Sequence, residues 1–417
     1  MIRFTIQKRV FSQTVLPAST RNTFFKKCFP TTQWARSSPL FTSRRLTSTT
    51  VAAPKIFQAG EPIPATNASV ANWLYVCAAV VAGVVWFGGV TRLTDSGLSI
   101  VEWKPLRGIR PPLNQKEWED EFNNYKRFPE HQQRSDMTLT EFKFIFFWEW
   151  AHRVLARSVG VVFGVPLLYY MYKGRFAGNR PLLLSLWGIL SLGGAQGFMG
   201  WYMVSSGLDH SLIEERKKVT VSSYRLASHL FLAFLIYAAM LRVGYGLKLP
   251  KCPQFPGFKK VQLWSRASCS VMFLTAMSGA FVAGLDAGLM YNDGFPLMAG
   301  GIIPPMDHLT ALEPWWRNFF ENHAAAQTTH RLLAGVTFLT IAVLNSAVHR
   351  GKVTPQVMRT LHAVNGALIL QVLLGMWTVI SQVDIPVAAS HQFGALLLLS
   401  TLIRMCAVVG SRGVVLA

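Results

Sequence analysis

No aspartate or glutamate occurs in this 417-residue chain before Glu61. Charged residues are scarce throughout, at 15% against 51% hydrophobic, which excludes an ordinary soluble protein of this size and requires a bilayer. Cysteine is scarce as well. Cys28 lies in the acid-free segment, Cys77, Cys269 and Cys406 lie in apolar stretches, and Cys252 lies in a basic loop. No C-x-x-C and no spaced pair occurs, so neither a zinc site nor a disulfide framework is expected, and these residues read as small buried hydrophobes.

What the chain has in excess is positive charge, a net +21. Residues 1–46 carry Arg3, Lys8, Arg9, Arg21, Lys26, Lys27, Arg36, Arg44 and Arg45 among many Ser and Thr, the composition of a mitochondrial transit peptide. Arg45-Leu46-Thr47-Ser48 is a plausible processing site. The competing reading, a basic tail that binds RNA, lacks an interleaved aromatic platform and any RGG-like repeat, so no nucleic-acid partner is expected.

Eight segments are apolar enough to meet the roughly 20-residue requirement for crossing a bilayer. They lie near 73–91, 143–172, 181–204, 223–245, 263–285, 322–348, 357–380 and 386–409. The connections 173–180, 242–266 and 349–359 are rich in Lys and Arg and contain no Asp or Glu, whereas the other connections hold nearly all the acid, from Asp95 to Asp384. Basic loops stay on the side from which export does not occur, which places both termini in the matrix of a mitochondrial inner membrane.

The chain also repeats itself. GGVTRLTDSGL (88–98) aligns with GAFVAGLDAGL (279–289), HRVLA (152–156) with HRLLA (330–334), QGFMGWYMV (196–204) with QVLLGMWTV (371–379), and the ASH of 227–229 with that of 389–391. The expected fold is therefore an all-α membrane protein of eight transmembrane helices, arranged as two four-helix bundles related by an internal repeat. Its expected segments are a transit peptide (1–46), a matrix-side stretch (47–72), an amino-terminal half (73–245), a matrix linker (246–262), a carboxy-terminal half (263–410) and a matrix tail (411–417).

Four histidines, His152, His229, His330 and His391, recur at equivalent positions near the starts of even-numbered helices. One such ring can be a hydrogen-bonded packing residue, but four at repeat-related positions point to two pairs of haem-iron axial ligands, since neutral imidazole is a common haem ligand. The halves differ at one place. Glu149 stands three residues before His152, on the same helix face, and its counterpart before His330 is Gln327. A carboxylate there can accept a proton or stabilise a cation on a bound porphyrin; the competing reading is an interfacial Glu reaching for water. Arg153 and Arg331 follow ligand histidines and suit either haem propionates or interface anchoring. Arg92 and Asp95 suit either each other or a haem edge.

With these motifs together, the chain resembles the haem A synthases of the cytochrome oxidase assembly protein family, in its mitochondrial form. The resemblance rests on GGVTRLTDSGLSIVEWKP (88–105), EWAHR (149–153), QGFMGWYMV, SHLFLA (228–233), TTHRLLAG (328–335) and SHQFGALLL (390–398). It implies haem b as cofactor on His330 and His391, and haem O as substrate on His152 and His229. It further implies Glu149 as the essential carboxylate and oxidation of the haem O C8 methyl to a formyl through an alcohol. Implied partners are ferredoxin and ferredoxin reductase, haem O synthase and other cytochrome oxidase assembly factors, with the chain itself a homo-oligomer. The bacterial branch with a cysteine pair in the first outer loop differs, because residues 93–142 here contain no Cys. A bis-histidine cytochrome b that only carries electrons would use the same four ligands but has no need of Glu149. A repeat-built transporter would explain the symmetry, though such halves are often inverted.

Overall fold

The computed structural model describes residues 65–103, 108–215, 218–250, 252–292 and 294–410. The expected transit peptide (1–46), most of the 47–72 stretch and the 411–417 tail lie outside the described residues.

Eight long helices are apolar enough to cross a membrane. They are α1 (Ala65–Leu93), α2 (Leu139–Tyr172), α3 (Arg180–Ser205), α4 (Ser223–Lys248), α5 (Phe258–Gly284), α6 (His323–His349), α7 (Pro355–Ile380) and α8 (Ile385–Val408). Among the described residues there is no strand beyond one isolated bridge, Met298 with Gly301. The helix starts have local causes. The side chains of Asn179, Asn322 and Asp384 cap α3, α6 and α8 by accepting backbone N–H groups of the first turn.

The start of α2 departs from expectation. Thr138 and Glu141 form a reciprocal capping box, so the helix begins at Leu139 rather than 143 and His152 stands thirteen residues in, nearly four turns from the start. The additional turns are held by aromatic packing. Phe142 and Phe146 bury against Phe122 and Tyr125 of the helix Gln115–Tyr125, so the charged connection between α1 and α2 carries a small core of its own. The sequence reading had placed a loop there.

α1 packs on α2 and α4, α3 on α4, α5 on α6, and α7 on α8, while α4 with α5 and α1 with α8 join the two groups. Two hydrophobic clusters result, one centred on α1–α4 and one on α5–α8. They are not cleanly separate, because Leu396, Leu399 and Ile403 of α8 belong to the first and Leu398, Leu402 and Met405 of the same helix to the second. Contacts also sort the two ends. Lys248 Nζ donates to Asn72 Oδ1 at 2.8 Å and Gln262 Nε2 to the Val409 carbonyl at 2.9 Å, gathering the start of α1, the ends of α4 and α8 and the start of α5 at the basic end.

The acidic end is tied by charge. Arg92 reaches Asp95 at 3.1 Å and Asp286 at 2.7 Å, and Lys218 reaches the other Asp286 oxygen at 2.6 Å. Partial burial opposes ionisation of Asp286, but Arg92 and Lys218 outweigh it and hold the carboxyl below its ordinary value. Asp95 and Asp286, aligned in the sequence repeat, both adopt the left-handed conformation, with φ of 47° and 52°, which short polar side chains tolerate better than most.

One contact joins α1 to α8 near mid-helix: Gln392 Nε2 donates to the Val85 carbonyl at 3.0 Å, and its carboxamide lies directly against Gly89. A methyl on Gly89 would displace the Gln392 carboxamide and with it the bond to Val85. Gly89→Ala is expected to destabilise the protein by about 1 kcal/mol through loss of the Gln392–Val85 hydrogen bond, read as a lowered unfolding temperature in detergent, whereas Gly83→Ala on the same helix, with nothing within 4 Å of its added methyl, should not lower it.

Candidate active site

A cavity of about 1710 Å³ runs between the two helix groups and is lined by His152, His229, His330 and His391 together with Glu149. It exceeds the roughly 300–1,000 Å³ usual for one small-molecule site. All four predicted ligands are thus brought to one continuous space.

Each ring is seated against a glycine of a neighbouring helix. A methyl built on Gly88 would stand 2.8 Å from His152 Cε1, one on Gly279 3.0 Å from His330 Cε1, one on Gly200 3.0 Å from His229 Cε1, and one on Gly375 2.8 Å from His391 Cε1. The spacing repeats exactly as the sequence does, with α1 and α5 supporting the first histidine of each half and α3 and α7 the second. The sequence repeat aligns Gly88 with Gly279 and Gly200 with Gly375, and nothing in the sequence gives these glycines a role.

Hydrogen bonds orient the rings. His152 Nδ1 donates to the Val84 carbonyl at 3.2 Å and His330 Nδ1 to the Thr275 carbonyl at 3.1 Å, with Ser278 Oγ also 2.8 Å from His330 Nδ1. A carbonyl only accepts, so the proton sits on Nδ1 and the Nε2 lone pair is left for a metal. His229 and His391 differ: their Nε2 atoms lie 3.3 and 3.5 Å from the amides of Gln196 and Gln371, long contacts that a bond to iron would replace. His330 and His391 face each other with ring centroids 6.5 Å apart and planes at 90°. A metal–imidazole bond of about 2.0–2.1 Å, plus about 1.1 Å from nitrogen to ring centre, gives roughly 6 Å for two rings on one metal.

Unsatisfied atoms complete the test of fit. His229 Nδ1, His391 Nδ1, Gln196 Oε1, Gln371 Oε1, Arg92 Nε and Arg331 Nε are buried without a hydrogen-bond partner, and all belong to cavity-lining residues. Buried polar groups are normally paired. Four imidazoles, apolar walls and arginines at the rim are a donor set suited to haem, and among the described residues no cluster of three or more His, Cys, Asp and Glu offers a different metal site.

Glu149 is not an interfacial side chain reaching for water. It is 3% exposed; Oε2 accepts from Ser99 Oγ at 2.6 Å and from the Ile100 backbone N–H at 2.8 Å, and Oε1 accepts from Arg153 Nη2 at 2.6 Å. Arg153 also donates to the Ile100 carbonyl at 2.9 Å, so its guanidinium is engaged inside the protein by a partner the sequence reading did not consider. In the other half Gln327, equally buried, donates to the Met290 carbonyl at 2.6 Å, and among the described residues Arg331 reaches the Tyr291 and Pro296 carbonyls at 3.4 Å and lies over the Phe295 ring. The ion pair beside the histidine therefore exists in the amino-terminal half and not in its counterpart. Ser99 and Ile100 were missed by sequence reasoning because their meeting with Glu149 spans fifty residues.

A profile of the cytochrome oxidase assembly protein family matches residues 71–403. The chain belongs to that family. It is 39% identical over 407 residues to Heme A synthase COX15 of Saccharomyces cerevisiae, covering 90% of this chain and 81% of the yeast protein. It is 42% identical over 346 residues to Heme A synthase COX15 of Homo sapiens, covering 81% and 82%, and 44% identical over 339 residues to Heme A synthase of Nitrosospira multiformis, covering 80% and 91%.

Because the Gly279 cradle sets the His330 ring, Gly279→Ala is expected to weaken haem retention by about tenfold or more, equivalent to about 1.4 kcal/mol. His330→Ala and His391→Ala should abolish the low-spin haem spectrum of the purified protein. Absorption spectroscopy after size-exclusion chromatography checks both, and a full spectrum in either alanine variant would remove these histidines from the ligand set.

Proposed function

We propose that this chain is a haem A synthase, an oxidoreductase that converts the C8 methyl of haem O to the formyl group of haem A. The observation that carries the reading is the asymmetry of the two histidine pairs: a buried carboxylate locked beside His152, and an amide beside His330. An electron carrier with two equivalent haems has no use for that difference.

In this reading His330 and His391 hold haem b, and His152 and His229 hold the substrate haem O. Haem b, when bound, supplies one-electron chemistry and the second half of a redox relay. The protein's part is positional. Val84 and Thr275 fix the tautomers of His152 and His330, the four glycines fix ring planes, and the apolar helix faces keep bulk water from the reacting methyl. Glu149 supplies a fixed negative charge on the His152 face, directed by Ser99, Ile100 and Arg153, where positive charge develops as the methyl carbon is oxidised. Arg331, with a buried Nε atom at the cavity wall, would meet a propionate, whereas Arg92 is already engaged by Asp95 and Asp286.

The proposed location is the mitochondrial inner membrane, with the basic end and both termini in the matrix and the acidic end facing the intermembrane space. Ferredoxin and its reductase are the proposed electron system. The Lys- and Arg-rich, acid-free connections of the basic end would complement an acidic carrier.

Two measurements test this reading. Membranes containing the chain and a source of haem O should yield haem A on extraction and chromatography. Glu149→Gln keeps side-chain size while removing the charge; haem b occupancy should persist, haem A should fall by about 100-fold or more, and haem O or its alcohol should accumulate. Undiminished haem A from that variant would assign the chemistry to another group.

A further inference from the structure

A second buried carboxyl lines the same cavity. Glu130 lies on the short helix Pro129–Gln133 of the α1–α2 connection and is 6% exposed. Its Oε2 is buried and has no hydrogen-bond partner, whereas both oxygens of Glu149 already accept hydrogen bonds. The helix is pinned at the acidic end of the cavity, because Gln133 Oε1 accepts the Val219 backbone N–H at 3.0 Å and Phe128 stacks on His210.

A carboxyl buried at a cavity wall, with one oxygen not committed to a close hydrogen bond, is open to proton exchange with that cavity. The groups that act on it are Glu149 of α2, Asp95 of the turn after α1, Tyr125 of the preceding helix and Arg134 at the end of its own helix. Burial pushes its pKa up to about 7, with the charges of Glu149 and Asp95 acting in the same sense and Tyr125 and Arg134 opposing. A group of that kind is half-protonated near neutrality and can both take and give a proton there.

We propose that Glu130 is the proton-exchange residue of the amino-terminal site, passing protons through Oε2 between the cavity and the aqueous phase at the acidic end. The proposal rests on the reading of the chain as a haem A synthase. Oxidation of a methyl to an alcohol moves two electrons and two protons. If water supplies the oxygen, both are released, the electrons to the one-electron carriers and the protons to solvent. If dioxygen supplies it, two electrons and two protons are taken up and the second oxygen atom leaves as water. Either way protons cross the boundary of a cavity walled by apolar helices. Glu149 is held by three donors, which among the described residues leaves Glu130 as the buried carboxyl to carry them.

The test uses the purified full chain with its resident haem, as wild type, Glu130→Gln and Glu130→Asp. Infrared difference spectra across the neutral range should contain a protonated-carboxyl band that titrates near pH 7 in the wild type, is lost in Glu130→Gln and is retained in shifted form in Glu130→Asp. Haem A formation in membranes should fall by about 100-fold in Glu130→Gln with its pH dependence flattened, and recover in part in Glu130→Asp. The low-spin haem spectrum should be unchanged in both. A band that persists in Glu130→Gln, or a wild-type pH profile in that variant, would overturn the proposal. So would loss of the resident haem spectrum from Glu130→Gln and Glu130→Asp alike, which would make the residue structural. Wild-type protein that forms no haem A would instead overturn the functional reading on which the proposal rests.

Discussion

The arrangement depends on holding neutral imidazoles at fixed orientation inside an apolar helix assembly. An imidazole there has two polar nitrogens and little water to satisfy them; pairing one with the protein leaves the other available to a metal, an arrangement found at His152 and His330 but not at His229 and His391, whose Nδ1 atoms have no hydrogen-bond partner among the described residues. His152 and His330 meet that condition with backbone carbonyls one helix away, at Val84 and Thr275. Those carbonyls are reachable because glycine four residues further along the same helix, Gly88 or Gly279, lets the ring lie against the backbone. The helix separation, the small residues and the ligand geometry are thus one constraint.

The same constraint joins the halves. His152 is bonded to Val84 of α1; the next residue, Val85, accepts Gln392 of α8, whose neighbour in sequence is His391. One short stretch of α1 therefore orients a histidine of the amino-terminal pair and anchors the helix that carries a histidine of the other. Gly89 makes that approach feasible. At the acidic end Arg92 and Asp286 add a charged tie between the same two groups of helices, so the relative placement of the two histidine pairs is set by contacts near mid-helix and at one end.

Symmetry and its breaking divide the labour. The glycine cradles, the left-handed aspartates and the glutamines near the second histidine of each half are matched position for position. The ion pair of Glu149 with Arg153 is not, and neither is the aromatic-cored connection that carries Glu130. Both unmatched features lie around the amino-terminal pair. Among the described residues, buried carboxyls on one side make the two repeat-related halves chemically unequal.

Much of this was legible in the sequence. Hydropathy located eight spans because a segment in hydrocarbon must satisfy its backbone internally as helix, and span length follows from bilayer thickness. The repeat and the histidine spacing located the four histidines that line the cavity, and the Glu149–Gln327 difference located the asymmetry, because helical periodicity fixes which residues share a face. Pattern along the chain could not supply the partners. The joining of Glu149 to Ser99 and Ile100, of Gln392 to Val85, and of each histidine to its glycine depends on which helices pack together and at what register. The start of α2 and the ordered core of the α1–α2 connection were likewise decided by capping and by aromatic packing between segments that the sequence separates. Local periodicity is written in one dimension, whereas satisfaction of buried polar groups is settled only when distant segments meet.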